Sequence, residues 1–441
     1  MAGRAQLAEV VLWGARVGAV SWDPERQLAS FQYDRAFQTS GIELAPLTMP
    51  LSDRVYSFPE LNRESFRGLP GMLADALPDR FGNTLIDAWL IREGRSLADF
   101  SPVERLLYIG SRAMGALEFR PARYSRKRRS EPLDVAELVE LANAVLSDRA
   151  AMATSLAGDD NDRRQALNDI LQVGVSAGGA RAKAVIAWNP DTNEVRSGQV
   201  AAPPGFSYWI LKFDGVRENR DKEALADPLG FGLIEYGYYL MARAAGIDMN
   251  ESRLLRENGR AHFMTRRFDR TDDGARLHMQ SLCALAHYDF NAAGAYGYEQ
   301  ALAVIERLGL GKAALEQQFR RMVFNVAARN QDDHTKNIAF LMDRSGRWSL
   351  SPAFDVTFAY NEHGVWTHQH QMSVNGKRRD ITLEDFLTVA DRFRITLPRA
   401  KRIIAEVDAA IGDWPQHAQQ AGVAEDMAAT IGRLHRRYRP E

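Results

Sequence analysis

Late in this chain the spacing of its apolar residues changes, and that change limits the fold more than any other feature. Short strand-like runs dominate the stretch from about residue 170 to 267, whereas beyond residue 297 the apolar positions recur at helical intervals. Phe319, Met322, Val323 and Val326 stand at i, i+3, i+4 and i+7, the buried face of one helix running into Asn330. Thr382 and Asp385 have capping-box spacing, with Ile381 and Phe386 set as a hydrophobic staple. Helices are expected near 383–391, 398–411 and 423–438. A sheet-rich part followed by a helix-rich part implies an α+β chain of two lobes, and 441 residues exceed what one core usually holds.

Within the sheet-rich part, Asp169–Val175, Ala182–Trp188, Tyr208–Phe213 and His262–Arg267 read as strands, and Glu235–Ala245 as a helix. The first ~120 residues form a mixed unit of their own. Val10–Trp13 and Arg16–Trp22 pair as a hairpin, Leu106–Gly110 and Gly115–Phe119 flank a Gly-rich connection, and Gly71–Leu90 reads as helix, Pro break, helix. The basic run Ser125–Ser130 is a solvated linker before an amphipathic helix at Leu133–Leu146.

Bulk composition excludes several classes. Fifty-six Lys and Arg against 57 Asp and Glu leave a formal charge of −1, which gives no global reason to bind nucleic acid or membrane. No run of eighteen apolar residues is present, and the first residues lack a secretory signal pattern. The lone Cys283 fits a reducing compartment, so a cytoplasmic protein is expected.

Chemistry concentrates in Asn330-Gln-Asp-Asp-His-Thr-Lys-Asn337, followed by an apolar strand at Ile338–Met342. Asp332 and Asn337 stand five apart, the spacing of a phosphoryl-transfer catalytic loop, in which a carboxylate faces the attacking hydroxyl and an amide oxygen ligates magnesium. The spacing alone is common by chance; its setting makes it specific. After the strand come the turn Asp343–Gly346, a second strand Arg347–Leu350, and then Asp355, placed to be the second magnesium ligand. Taken singly, each Asp reads equally well as a cap of a helix or turn.

Upstream, Ser176-Ala-Gly-Gly-Ala-Arg-Ala-Lys183 lies between two strands. Its glycines let backbone N–H groups approach phosphate oxygens, with Lys183 adding charge, although a tight hairpin explains the loop equally well. Ser176 has no periodic reason to be there and is a candidate for phosphorylation. Lys212, in an otherwise apolar strand, needs an anion, either Glu235 or a nucleotide phosphate. Met264–Arg270 fits a hinge whose backbone pairs with adenine while Asp269 meets the ribose. Trp366-Thr-His-Gln-His370 reads as a surface strand rather than a metal site, and Tyr236, Tyr238 and Tyr239 as core.

These segments, in this order, resemble the HipA family, toxin kinases of bacterial type II toxin–antitoxin modules. The likeness runs through Leu77-Pro78-Asp79, Ile109–Gly115, Ser176–Lys183, Trp209–Phe213, Glu235-Tyr236, Arg267–Arg270, Asp332–Asn337, Ala353–Asp355 and Met372–Gly376. It implies a two-lobed, protein-kinase-like fold of the phosphoinositide-kinase type, with a mixed α/β N-terminal lobe and a mainly helical C-terminal lobe. It divides the chain into an N-terminal subdomain (1–124), a linker and helix (125–148), a nucleotide-binding part (149–295) and a helical lobe with the catalytic loop (296–441). On that likeness Asp332 is the catalytic base, and Asn337 and Asp355 bind Mg2+. ATP is held by Ser176, Ala177, Gly178, Gly179, Ala180, Lys183, Lys212, Glu235, Arg266, Phe268, Asp269, His334 and Lys336. Ser176 matches the family's autophosphorylated serine, whose modification switches the enzyme off. The likeness further implies a protein substrate such as an aminoacyl-tRNA synthetase, and a small helix-turn-helix antitoxin of HipB type through which DNA is met only indirectly. Two departures stand out: Asp333, where glycine is common, adds charge beside the base, and Gly178–Arg181 differs from the usual Ala-Gly-Ala-Gln. Two other functions stay open on the sequence: a small-molecule or lipid kinase, and a weakly catalytic co-repressor that stabilises an antitoxin–DNA complex.

Overall fold

A computed structural model describes residues 6–78, 80–92, 94–96, 100–121, 132–147, 181–216, 230–271 and 274–439. The strand expected at Asp169–Val175, the basic linker Ser125–Ser130 and the loop residues Ser176, Ala177, Gly178, Gly179 and Ala180 lie outside them.

The chain opens with strands β1 (Leu7–Leu12), β2 (Ala15–Asp23) and β3 (Leu28–Tyr33). Trp13 and Gly14 join β1 to β2, both at positive φ (49° and 88°), the two-residue turn whose twist suits a hairpin. With β4 (Val55–Tyr56) and β5 (Leu117–Arg120) they build an antiparallel sheet in the order β4-β3-β2-β1-β5. The helix break at Pro78 is as expected, with helical residues at Gly71–Ala74 and Arg80–Arg92. Leu106–Ile109, beside the Gly-rich connection, ends a helix (Pro102–Ile109) begun by a capping box of Ser101 and Glu104.

A second antiparallel sheet takes the order β7-β6-β8-β10-β9. It contains β6 (Lys183–Trp188), β7 (Val195–Ser197), β8 (Ser207–Lys212), β9 (Ser252–Glu257) and β10 (Arg260–Arg266). Between β8 and β9 the helix Phe231–Ala244 lies against β10, and Gly232 sets how closely: a Cβ there would stand 2.2 Å from the Ala261 carbonyl oxygen. The helix starts a turn earlier than the sequence suggested, so Glu235 lies inside it.

A third sheet, β11 (His278–Ser281), β12 (Ala339–Met342) and β13 (Trp348–Leu350), carries the two strands that follow the segment Asn330–Asn337. The helix Gly311–Ala327 buries Phe319, Met322, Val323 and Val326 at 0–1 % exposure. Leu383–Arg392, Leu397–Gly412, Trp414–Ala421 and Glu425–Leu434 close the chain. Two hydrophobic clusters result. One joins the first sheet and its helices to the inner face of the second sheet, and the other gathers the helix Phe231–Ala244 with the C-terminal helices. Burying one apolar face of each element in this way supplies most of the driving force, at roughly 25 cal/mol per Å2. Of the three tyrosines, Tyr238 is buried in the second cluster, whereas Tyr236 and Tyr239 stack on each other at its edge. Among the described residues no helix is long and apolar enough to cross a membrane.

Candidate active site

Two strands of the second sheet and its helix bring the cations together. Lys212 ends β8, and Lys183 begins β6 directly opposite it in register. Like charges on neighbouring strands repel, so the pair requires anions. Glu235, 2 % exposed, supplies one: its Oε1 lies 2.5 Å from Lys212 Nζ. Asp355 supplies the other and also accepts from Lys212 Nζ. Burial alone would lower the Lys212 ammonium's pKa, but the two carboxylates, Asp355 first, raise it above its ordinary value. Burial would likewise raise the Asp355 carboxyl, yet Lys212 and Lys183 hold it at about 2. Asp355 also adopts a left-handed backbone, φ 52°, which Asp tolerates better than most residues and which turns the chain sharply after β13.

The second half of the site is the loop between the helix Gly311–Ala327 and β12. Arg329, at φ 57°, turns the chain out of the helical conformation, and Asn330 bridges to Ala359. Asn337 Nδ2 donates to the Asp332 backbone oxygen at 2.8 Å, closing the loop and fixing which way the amide oxygen faces. His334 connects the halves: its Nε2 lies 3.8 Å from Asp332 Oδ1, and it is among the groups that lower the Asp355 pKa. Lys336 places its ammonium 4.6 Å from the Phe290 ring centre. Phe268, in the hinge segment, packs on Phe354 at 5.5 Å between ring centres, next to Asp355. At Arg266 the backbone N–H donates to Glu251 O and the carbonyl accepts from Asn250 Nδ2.

Three expectations need correction. Asp269, expected to meet a ribose, is fully buried with its carboxylate already engaged by protein donors. Its carboxylate accepts from Arg267 at 2.8 and 2.7 Å, from Arg270 at 2.9 Å and from the Gly115 N–H at 2.7 Å. Burial would raise this carboxyl, but the two guanidiniums drive it well below the usual range. Asp333 does not add open charge beside the base. It turns inward, 3 % exposed, to accept from Tyr298 Oη (2.8 Å) and the Gln371 N–H (2.7 Å), with His370 Nδ1 2.8 Å away. Burial opposes ionisation there, and His370 and those donors outweigh it, so its pKa falls.

Trp366–His370, finally, is not a surface strand. It lies irregularly across the catalytic loop, with His370 fully buried and Trp366 Nε1 donating to Asp332 Oδ1 at 2.6 Å. Sequence reasoning missed both residues as parts of the site, since no spacing rule points to them.

The arrangement suits a divalent cation on a nucleotide. One ionised carboxylate (Asp355) and one oriented amide oxygen (Asn337) are hard donors, and too few for an all-protein cage. Such a site takes Mg2+ largely through phosphate oxygens. Among the described residues no group of three or more His, Cys, Asp and Glu gathers to hold a metal by itself.

Comparison with known proteins agrees along nearly the whole chain. The HipA N-terminal domain model matches residues 8–120, and the HipA-like C-terminal domain model matches residues 175–414. No curated protein matches. Among solved structures, HipA of Shewanella oneidensis MR-1, in a toxin–antitoxin complex with HipB and operator DNA, is similar with TM-score 0.65 at 18 % identity. That match covers 97 % of this chain and 94 % of that one. The Helicobacter pylori proinflammatory kinase CtkA matches 51 % of this chain and 92 % of its own at 14 % identity, with TM-score 0.30.

Proposed function

The chain belongs to the HipA family, and from that premise we propose that it is an ATP- and Mg2+-dependent serine/threonine protein kinase of two-lobed kinase-like fold. The observation that carries the reading is Lys212 held between Glu235 and Asp355, residues brought from a strand, a helix and a distant turn to one point. Such a lysine, oriented by a carboxylate on a helix and set beside a metal-binding carboxylate, is what a triphosphate requires. Bound Mg2+ neutralises charge on the β- and γ-phosphates.

Around the nucleotide the chain's own groups divide the work. Lys212 and Lys183 bind phosphate oxygens, Glu235 keeps Lys212 aimed, and Asp355 would hold the cation. Asn337 offers its amide oxygen to the same cation. Asp332 orients the acceptor hydroxyl and takes its proton, while His334 and Lys336 line the approach to the transferred group. The Arg266–Phe268 hinge receives adenine. Most of the rate comes from this fixed charge and positioning. Ser176, outside the described residues, is the autophosphorylation site in this reading, with Ala177 to Ala180 forming the phosphate loop.

The biology follows the family. The chain acts as a growth-inhibiting toxin in the cytoplasm, phosphorylates a translation component such as an aminoacyl-tRNA synthetase, and is restrained by a small helix-turn-helix antitoxin of HipB type, which makes the contact with DNA.

The test is transfer from labelled ATP and Mg2+ to purified synthetases and to the chain itself. Asp332→Gln is expected to abolish transfer while its circular dichroism and melting curve match those of the wild type. An active Asp332→Gln protein would remove Asp332 from the role of base.

A further inference from the structure

Among the described residues, the indole on Asp332 touches the proposed site without a part in the chemistry given above. Trp366 Nε1 donates to Asp332 Oδ1 at 2.6 Å, across 34 residues of sequence. Resting on the reading of Asp332 as the base, we propose that Trp366 is a positioning residue for it, and that the Asp333–His370 pair is the anchor that brings Trp366 there.

A neutral N–H aimed at one carboxylate oxygen removes the rotation that would take the carboxylate out of line with the acceptor hydroxyl. His334 Nε2 stands 3.8 Å from the same oxygen, beyond hydrogen-bond reach, so the indole is the shorter of these two contacts.

A mobile gate would sit on Asp332 through a contact easily broken, and the segment carrying Trp366 is not so held. Gln371 donates its backbone N–H to Asp333 Oδ1 at 2.7 Å, and its side-chain amide to the carbonyls of Trp366 (2.6 Å) and Gln331 (3.2 Å). His370 meets the other Asp333 oxygen at 2.8 Å with both side chains 0–1 % exposed. Tyr298 completes that carboxylate and itself accepts from Asn325 Nδ2, on the helix that leads into the loop. Lifting Trp366 away would leave several buried groups unpaired together, each worth roughly 1–3 kcal/mol. The segment is therefore a fixed wall of the catalytic loop. Asp333, unusual in sequence, has a reason: it ties that wall down.

Transfer from ATP to an accepted protein is measured for the wild type and for Trp366→Phe, which keeps a ring and removes the N–H. Trp366→Phe is expected to lower kcat by roughly tenfold to a hundredfold, the scale of a misplaced catalytic group, with KM for ATP and the melting temperature unchanged. Trp366→His, whose Nε2 stands about as far from Cβ as the indole nitrogen, is expected to regain part of that rate. His370→Asn is expected to lower kcat in the same way through the anchor. An unchanged or increased kcat in Trp366→Phe would overturn the proposal, an increase marking the indole as a gate. A wild type without any transfer would sink the kinase reading itself and this proposal with it.

Discussion

At the scale of single residues, the site is a balance between burial and charge pairing, and Asp355 shows it most directly. Its carboxyl sits at about 2 in the folded chain against an ordinary 3.8, because Lys212 and Lys183 outweigh desolvation. A group whose pKa falls on folding contributes stability that is complete above the ordinary value and disappears as pH drops through the folded one. The difference corresponds to about 2 kcal/mol near neutrality. Asp355→Asn removes the charge while tolerating the same left-handed backbone. It is expected to lower the unfolding free energy by about that amount at pH 7, with the gap to wild type closing between pH 4 and pH 2. Urea melts across that range read it directly, and a gap that does not change with pH would show the Lys212 pairing to be energetically idle. The loop that carries Asp332 and Asn337 and the turn at Asp355 were legible in sequence because each adjoins an apolar strand. Trp366 and His370 were not. Their partners lie 34 and 37 residues away, and neither periodicity nor spacing encodes which way an irregular segment crosses a loop.

At the scale of elements, local signals predicted most helices and strands, and the misses have local causes. The helix Trp414–Ala421 went unread because Asp413 and Pro415 mimic a loop, yet Pro near a helix start lacks only an N–H that has no helical partner there. The capping box at Thr382 and Asp385 formed as its spacing demands, with Asp385 Oδ2 2.8 Å from the Thr382 N–H. What no local signal revealed is how tightly elements approach. Gly232 allows the helix Phe231–Ala244 onto β10, and a methyl group there meets Ala261 O at 2.2 Å and Phe263 N at 3.0 Å, both backbone atoms that cannot step aside. Gly232→Ala must push the helix outward, and Glu235, one turn along, moves with it. The expected result is weaker Mg·ATP binding, by roughly tenfold for about 1.4 kcal/mol lost at the Lys212 pair, measured by calorimetry. Unaltered affinity would mean that the helix position does not set Lys212.

At the scale of the molecule, the chain just beyond Phe268 acts as a rivet. The segment Arg267–Arg276 is fastened to the connection before β5 by Asp269 on the Gly115 N–H and by Arg276, which donates to Gly115 O at 3.0 Å and pairs with Glu118 at 3.1 Å. Trp13 adds its indole to Arg276 O at 2.7 Å, and Asp75 accepts from Ser281 at 2.7 and 2.8 Å. The N-terminal unit is thus joined to β11 and the segment before it by polar contacts between residues more than 150 apart, which is why sequence alone pointed Asp269 at a ribose. Arg267, with its side chain wholly buried, depends on that carboxylate. Breaking a buried pair by removing one partner typically costs about 3–5 kcal/mol, since the other charge is left without compensation. Asp269→Asn is therefore expected to lower stability by that order and to speed proteolysis of the residues before β5. The preference for ATP over 2′-deoxy-ATP should stay as in the wild type, because the carboxylate is buried and engaged by Arg267, Arg270 and the Gly115 N–H. A variant of undiminished stability that loses discrimination at the 2′-hydroxyl would reverse the assignment and return Asp269 to the nucleotide.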